Sequence, residues 1–235
     1  MTSTPVLLLA GTPTSSPVAD HAVIGYCHPG VVRAEFCASL LATAMEGKTP
    51  LASVLTFQSG PNISTARNKI VADFLTRQRA PWLLMVDTDM VFTGDALDRL
   101  IAAADPVLRP LLGGLCFSQN GDDDPYPVMY ELGEGVNGSL AFTRYTTWPE
   151  DACQRVSATG AAFLLMHRRA LTRIEKSSKD PAAPWFREAP IGAPLALMGE
   201  DMTFCLRAAA ANIPVHVYTG VQVGHMKSTM LGQVR

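Results

Sequence analysis

Asp87 and Asp89 stand one residue apart and directly follow an unbroken apolar run, Trp82-Leu83-Leu84-Met85-Val86. Such a run suits a strand buried on both faces, as in a parallel sheet under helices. Side chains alternate along a strand. If the strand continues, Asp87 and Asp89 share a face and Thr88 points away. Two carboxylates on one face repel unless a cation lies between them, and a hard divalent ion with oxygen ligands is the common solution. In open α/β sheets ligands bind at the carboxyl ends of the strands. Position and chemistry together point to a metal-assisted site. The plainer reading is an acidic pair that ends a strand or caps the next helix.

Three further groups carry chemistry. Gly199-Glu200-Asp201 opens a helical stretch. Acids there suit the helix dipole and cap free amides; as a functional group, a carboxylate beside glycine serves as a general base toward an acceptor hydroxyl. His225 follows an apolar strand and Gly224. With Asp87 and Asp89 it would complete an O/O/N ligand set, which Mn²⁺ accepts readily while Mg²⁺ prefers oxygen alone. A structural histidine is the alternative. Arg67 and Asn68 fall in the first turns of a predicted helix, where an arginine beside a helix N-terminus makes a phosphate contact; the alternative is a surface arginine. Asp122, Asp123 and Asp124 lie between Gly121 and Pro125 and read as a solvated loop. No P-loop, GxGxxG or GxSxG occurs, which argues against a P-loop NTPase, a Rossmann dehydrogenase and a serine hydrolase.

The elements that position these residues follow from periodicity. Residues 11–20 read as loop. Ala22 to Cys27 is a first strand, closed by His28-Pro29-Gly30. Val32, Phe36, Leu40, Leu41 and Ala44 form one face of a helix over 31–46, stopped at Gly47. Ser53 to Phe57 is a second strand. Ile63 to Leu75 is a helix capped by Asn62 or Ser64, with Ile70, Val71, Phe74 and Leu75 inward. The strand bearing Asp87 follows. Then comes a helix opened by Thr93-Gly94-Asp95 and ended by Pro106, and a strand over 111–117. The order βαβαβαβ predicts a mostly parallel sheet with crossover helices. Beyond residue 118 the pattern weakens into short antiparallel strands and loops. These hold Tyr126, Tyr130, Phe142, Tyr145 and Trp148, residues that serve as sugar platforms or as packing. A buried strand over 160–166 and a helix from Arg168 follow. Residues 177–195 are a proline-rich loop, and the expected place for a mobile lid. A helix from Gly199 to about Ala211 and a last strand or pair, 215–218 and 221–223, complete the chain.

The 235 residues are 48% hydrophobic and 17% charged, with a net charge of −2. A large core is expected, and no basic block favours nonspecific grip on nucleic acid. Cys27, Cys37, Cys116, Cys153 and Cys205 form no CxxC pair and read as reduced, mostly buried thiols. Val6 to Ala10 is too short for a signal-peptide core, and no apolar run reaches transmembrane length. A soluble cytoplasmic protein without membrane insertion is the expectation.

Taken in order, the first strand and turn, Ala66-Arg67-Asn68, Leu84 to Asp89, Gly160-Ala161-Ala162-Phe163, Gly199 to Cys205 and Gly224-His225 resemble a nucleotide-sugar glycosyltransferase of the GT-A fold. The closest likeness is to the compact family-2-like transferases of bacteria and their phages. The resemblance spans residues 22–227. It implies an α/β fold with a Rossmann-like, mostly parallel central sheet flanked by helices and a smaller antiparallel acceptor-side region. It implies one catalytic domain over 1–235: a nucleotide-sugar half over 22–117, an acceptor half over 118–227 and a tail over 228–235. Asp87 and Asp89 match the DxD motif that holds Mn²⁺ or Mg²⁺ against a UDP- or GDP-sugar, with His225 as a third metal ligand. Arg67, Asn68, Asp87 and Thr88 would contact the donor. Asp201 matches the base of inverting members, and Glu200 would bind hydroxyls. The implied activity is hexosyl or pentosyl transfer to a protein, a small molecule or modified DNA. No acid stands at the end of the second strand (Phe57-Gln58-Ser59), where many members hold the nucleotide base, so the nucleotide stays open, as do stereochemistry and oligomeric state. The alternatives are a nucleotidyltransferase, for which Cys27-His28-Pro29-Gly30 fits poorly as a phosphate loop, and a non-catalytic nucleotide- or sugar-binding protein.

Overall fold

Alternating apolar runs and amphipathic segments build the first half. β1 (Ala22–His28), α1 (Ala34–Glu46), β2 (Leu51–Gln58), α2 (Ile63–Arg77), β3 (Trp82–Asp87), β4 (Met90–Val91), α3 (Ala96–Ala103) and β5 (Leu111–Ser118) follow one another. The second half has β6 (Tyr126–Pro127), β7 (Met129–Glu134), β8 (Leu140–Arg144), β9 (Cys153–Val156), β10 (Ala158–Thr159), β11 (Phe163–His167), α4 (Arg168–Ser177), β12 (Ala189–Pro190), β13 (Leu197–Met198), α5 (Glu200–Ala210) and β14 (Val215–His225). This computed structural model describes residues 21–60, 62–121, 123–135, 140–190 and 197–227. The Val6–Ala10 run, the 11–20 loop, Asp122 and the 228–235 tail lie outside the described residues.

The main sheet has the order β2-β1-β3-β11-β5-β14-β4. β1 pairs in parallel with β2 and β3, and β5 in parallel with β14. β11 is antiparallel to both β3 and β5. The parallel sheet is therefore present, but one reversed strand is wedged into its middle. The chain runs from β3 through α3 to β5 and leaves a gap that the later β11 fills. All five β11 residues are buried, consistent with a central strand. The antiparallel β10-β7-β8 sheet and the β12-β13 pair complete the second half.

Apolar side chains cover both sheet faces. Ile70, Val71 and Phe74 of α2 pack on one face with Leu83, Met85 and Phe204. Phe36 of α1 and Leu97 and Leu100 of α3 pack on the other with Leu84, Val86 and Phe163. α1 departs from its predicted face. It begins at Ala34, and Val32, Leu41 and Ala44 are exposed, Leu41 by 58%. Ser39 and Thr43 take the inward positions beside Phe36 because each hydroxyl has a partner: Thr43 Oγ1 donates to Ser39 O at 3.0 Å, and Ser39 Oγ accepts from Phe92 N at 3.0 Å. Satisfied hydroxyls bury without penalty, which an apolar count does not foresee.

α2 approaches β1 closely at Gly25. A Cβ there would lie 2.5 Å from Ile70 Cγ2 and 3.2 Å from Leu83 Cδ1. Ile70 is fully buried and cannot step aside. Gly25→Ala is expected to lower stability by about 1–3 kcal/mol through overpacking, read as a reduced urea midpoint with unchanged slope.

Candidate functional site

The C-terminal ends of β1, β3, β5 and β14 meet the N-termini of α2 and α5. Asn62 caps α2, its side chain accepting from Thr65 N at 3.3 Å. This sets Arg67 and Asn68 on the inward side, one turn down. β3 ends at Asp87, and Thr88 and Asp89 form a turn before β4. The sequence expectation that Asp87 and Asp89 continue one strand face does not hold here, because the backbone turns after Asp87. The two acids consequently have different partners.

Asp87 belongs to a buried arginine centre. Arg67 Nη2 donates to Asp87 Oδ1 at 2.8 Å and Oδ2 at 3.0 Å. Arg67 Nη1 donates to Glu200 Oε1 at 2.7 Å and to Asp201 Oδ1. The Arg67 side chain is 2% exposed, whereas Asp87 and Asp201 are each 26% exposed. The cation is sealed and the carboxylates face outward from it. Burial alone would lower the guanidinium pKa. The carboxylates, Asp87 foremost, outweigh burial and hold it above its ordinary value. Arg67 lies 5.7 Å above the Phe186 ring, which stacks on Phe204 with centroids 4.6 Å apart and planes 8° from parallel. Its Nε has no partner among the described residues.

Asp201 occupies the first turn of α5, after the Gly199 N-cap. Desolvation pushes its carboxyl up to about 6. Arg67 pulls it down, Glu200 and Asp87 push it up, and the Ala161 amide pulls it down. The next residue, Ala162, accepts from Asp87 N at 2.9 Å. The Ala161-Ala162 backbone thereby links both acids. This role has no side-chain signature: apolar patterning reads 160–166 as one strand, whereas β11 begins at Phe163 and Ala161-Ala162 form the turn before it.

Asp89 belongs to a second cluster. His225 Nε2 lies 3.1 Å from Asp89 Oδ2, and His225 Nδ1 lies 2.9 Å from Phe117 O. A carbonyl only accepts, so Nδ1 carries a proton and Nε2 is the nitrogen turned toward the carboxylate. In the neutral ring that places a lone pair against a carboxylate oxygen, an arrangement relieved by a cation. A backbone carbonyl on Nδ1 is also the usual support for a metal-binding histidine. Met226 N donates to Asp89 O at 2.8 Å and fixes the turn. Among the described residues no group of three or more His, Cys, Asp or Glu side chains is assembled to hold a metal. Asp89 and His225 supply two donors of suitable chemistry, and Asp87 stays with Arg67.

Asn68 is buried and fully engaged. Its Nδ2 donates to Ser64 O and Phe186 O, each at 2.7 Å, and its Oδ1 accepts from Trp185 N and Phe186 N at 3.2 Å. The 180–190 segment is thus anchored from beneath: Trp185 is 3% and Phe186 0% exposed. Its adjacent aromatics were the overlooked signal. Thr88 lies in the turn, half-buried, between the two clusters. Cys27 and Cys116 are buried, their thiols pushed up to about 12 by desolvation, so neither is poised as a nucleophile. Cys37, in contrast to the expectation, is exposed. A hollow of about 720 Å³ between α2 and residues 181–188 and another of about 650 Å³ beside α5 lie away from these acids.

The arrangement of strands, helices and strand-end acids defines a GT-A, glycosyltransferase-like fold. No family model matches the sequence, and no curated protein matches it. Solved structures do. The crystal structure of A197 from STIV is 14% identical with a TM-score of 0.55, covering 88% of this chain and 86% of that one. The crystal structure of GalNAc-T7 with UDP, GalNAc and Mn²⁺ is 11% identical with a TM-score of 0.57. That likeness covers 90% of this chain and 44% of GalNAc-T7, so this chain spans less than half of that protein's length.

Proposed function

We propose that this protein is a metal-dependent glycosyltransferase that moves a sugar from a UDP- or GDP-linked donor to an acceptor hydroxyl. One observation carries the proposal: His225 Nε2 faces Asp89 at 3.1 Å while Nδ1 is held by a backbone carbonyl. That pair suits Mn²⁺ better than Mg²⁺, because one donor is nitrogen. The association of UDP, GalNAc and Mn²⁺ with the same fold in GalNAc-T7 supports the ligand class.

Asp89 and His225 would hold the metal, and Asp87 would join them to the extent that Arg67 releases it. A bound divalent ion supplies charge neutralisation for a departing diphosphate. Asp201 takes the acceptor proton and Arg67 holds its carboxylate in place. Glu200, on the same arginine nitrogen, orients a hydroxyl. Asn68 contributes indirectly by keeping Phe186 beneath Arg67. Thr88 offers its turn to the donor. The chain acts as one catalytic domain, its 22–117 half on the donor and its 118–227 half on the acceptor.

The test is calorimetric titration of Mn²⁺ with and without UDP or GDP. Asp89→Ala is expected to abolish metal-dependent nucleotide binding with the melting curve preserved. His225→Ala is expected to weaken Mn²⁺ on the order of tenfold or more. Unchanged Mn²⁺ affinity in both variants would remove the metal assignment. Nucleotide binding indifferent to EDTA would favour a second reading, in which Arg67 supplies the positive charge at Asp87 and no metal is needed.

A further inference from the structure

We propose that the end of the sheet opposite these acids is a docking surface for anionic phospholipid bilayers, formed by the Val107–Leu108 turn and the cationic face of α4. The inference stands apart from the proposed transfer activity.

β11 runs against its neighbours, and its last residue, His167, pairs with Trp82, the first residue of β3. α4 therefore starts at the end of the central strands remote from Asp87. Its inward face is Ala170, Leu171 and Ile174. Arg169, Arg173 and Lys176 are exposed on the other side at helical spacing. Together with Arg168 and Thr172 they line a shallow hollow of about 350 Å³ that contains no acid. Arg168 is spent internally on the carbonyls of Ala80, Leu75 and Gln78. Arg169, Arg173 and Lys176 have no ion-pair partner among the described residues. Arg169 also sits in the first turn of its helix, where a cation opposes the dipole. An arrangement that costs stability without an internal partner suits an external anion.

The second observation chooses the anion. His167 N donates to Pro110 O at 2.8 Å, which brings the 105–109 turn beside the start of α4. At its tip Val107 is 72% and Leu108 63% exposed. The tip is rigid: Asp105 Oδ1 accepts from Val107 N at 2.8 Å and Leu108 N at 2.7 Å, and Arg109 N donates to Asp105 O at 3.1 Å. Arg109 Nε donates to Ala103 O at 2.6 Å. A fixed pair of aliphatic side chains beside a cluster of cations matches a lipid headgroup layer, where apolar tips insert and cations meet phosphate. Nucleic acid would leave the exposed aliphatic tip without a partner, and this corner offers no exposed stacking aromatic among its described residues. No helix among the described residues is long and apolar enough to cross a membrane.

The experiment is co-sedimentation of the full chain with vesicles of phosphatidylcholine alone and with about 30% phosphatidylglycerol. Binding is expected only to the anionic vesicles, and it should weaken as salt rises. The double substitution Arg169→Glu and Arg173→Glu is expected to reduce it by about tenfold or more, and Leu108→Asp severalfold, with melting temperatures not lowered and nucleotide binding unchanged. No sedimentation with anionic vesicles at low salt would overturn the proposal. So would binding that both variants retain, or binding to duplex DNA in place of vesicles.

Discussion

Arg67→Met should be the most damaging single substitution in this protein. The guanidinium is 2% exposed and is the shared counter-ion of Asp87, Glu200 and Asp201. Its loss leaves these carboxylates facing one another around a buried apolar side chain. Removing one partner of a buried charge set typically costs about 3–5 kcal/mol. For a chain of this length that corresponds to a melting temperature lower by roughly 6–20 °C. The loss should shrink as pH falls, because protonation removes the repulsion that the arginine had cancelled. Combining Arg67→Met with Asp87→Asn and Asp201→Asn should restore much of the stability at neutral pH. Thermal melts of the single and triple variants between neutral and mildly acidic pH make the comparison. A single variant that melts within about a degree of wild type would mean that Arg67 is not the electrostatic centre of the site.

Asp201→Asn separates chemistry from folding. Under the proposed function it should lower turnover by about 10²–10⁴-fold while donor binding stays intact. A rate that depends on Asp201 as base should climb through about pH 6 and level above it, since burial holds this carboxyl near that value. The stability effect has the opposite sign. A carboxyl whose folded pKa is raised favours the native state most fully below its ordinary value. That contribution is lost as pH rises through about 6, because the native state must then ionise a desolvated group. Asp201→Asn removes this loss, so its melting temperature relative to wild type should improve as pH rises from 3.8 to about 6 and hold level above that. Near-wild-type turnover would return Asp201 to the role of a helix-start acid that pairs with Arg67.

The fold was largely legible because its first half obeys two clear periods. Ile70, Val71 and Phe74 repeat as a helix face, and Trp82 to Val86 run as a buried strand. That the strand-end acids and helix starts lie on one side of the sheet was also legible, since a parallel sheet gathers its strand ends there. The partner choices were not. Arg67 reads as a phosphate contact at a helix start, yet it lies beneath the acids. That depends on α5 arriving 133 residues later in the chain. Residues 153–159 carry no strong alternation and form β9 and β10 through pairing with β14 and β7. Residues 177–195 read as a mobile loop from their prolines; 191–195 lie outside the described residues, and in the rest Asn68 and Phe204 hold Trp185 and Phe186 in place. Each of these depends on contacts between distant segments, to which local propensity is blind.

The reversed central strand also has a consequence for how the molecule is made. β3 and β5 are neighbours only through β11, so synthesis of residues 22–118 leaves β3 with one unpaired side and β5 with two, since its other neighbour, β14, is made later still. The gap between them stays open until residues 163–167 leave the ribosome and slide into it, and the far side of β5 stays open until β14 is made. During that interval the nascent chain presents strand edges able to pair with other chains. Closing the gap requires pairing across a long stretch of intervening sequence, which is a slow step in folding. Chaperone dependence in the cell and aggregation of chains truncated before β11 are the expected costs of placing a late-made strand between earlier ones at the centre of the sheet.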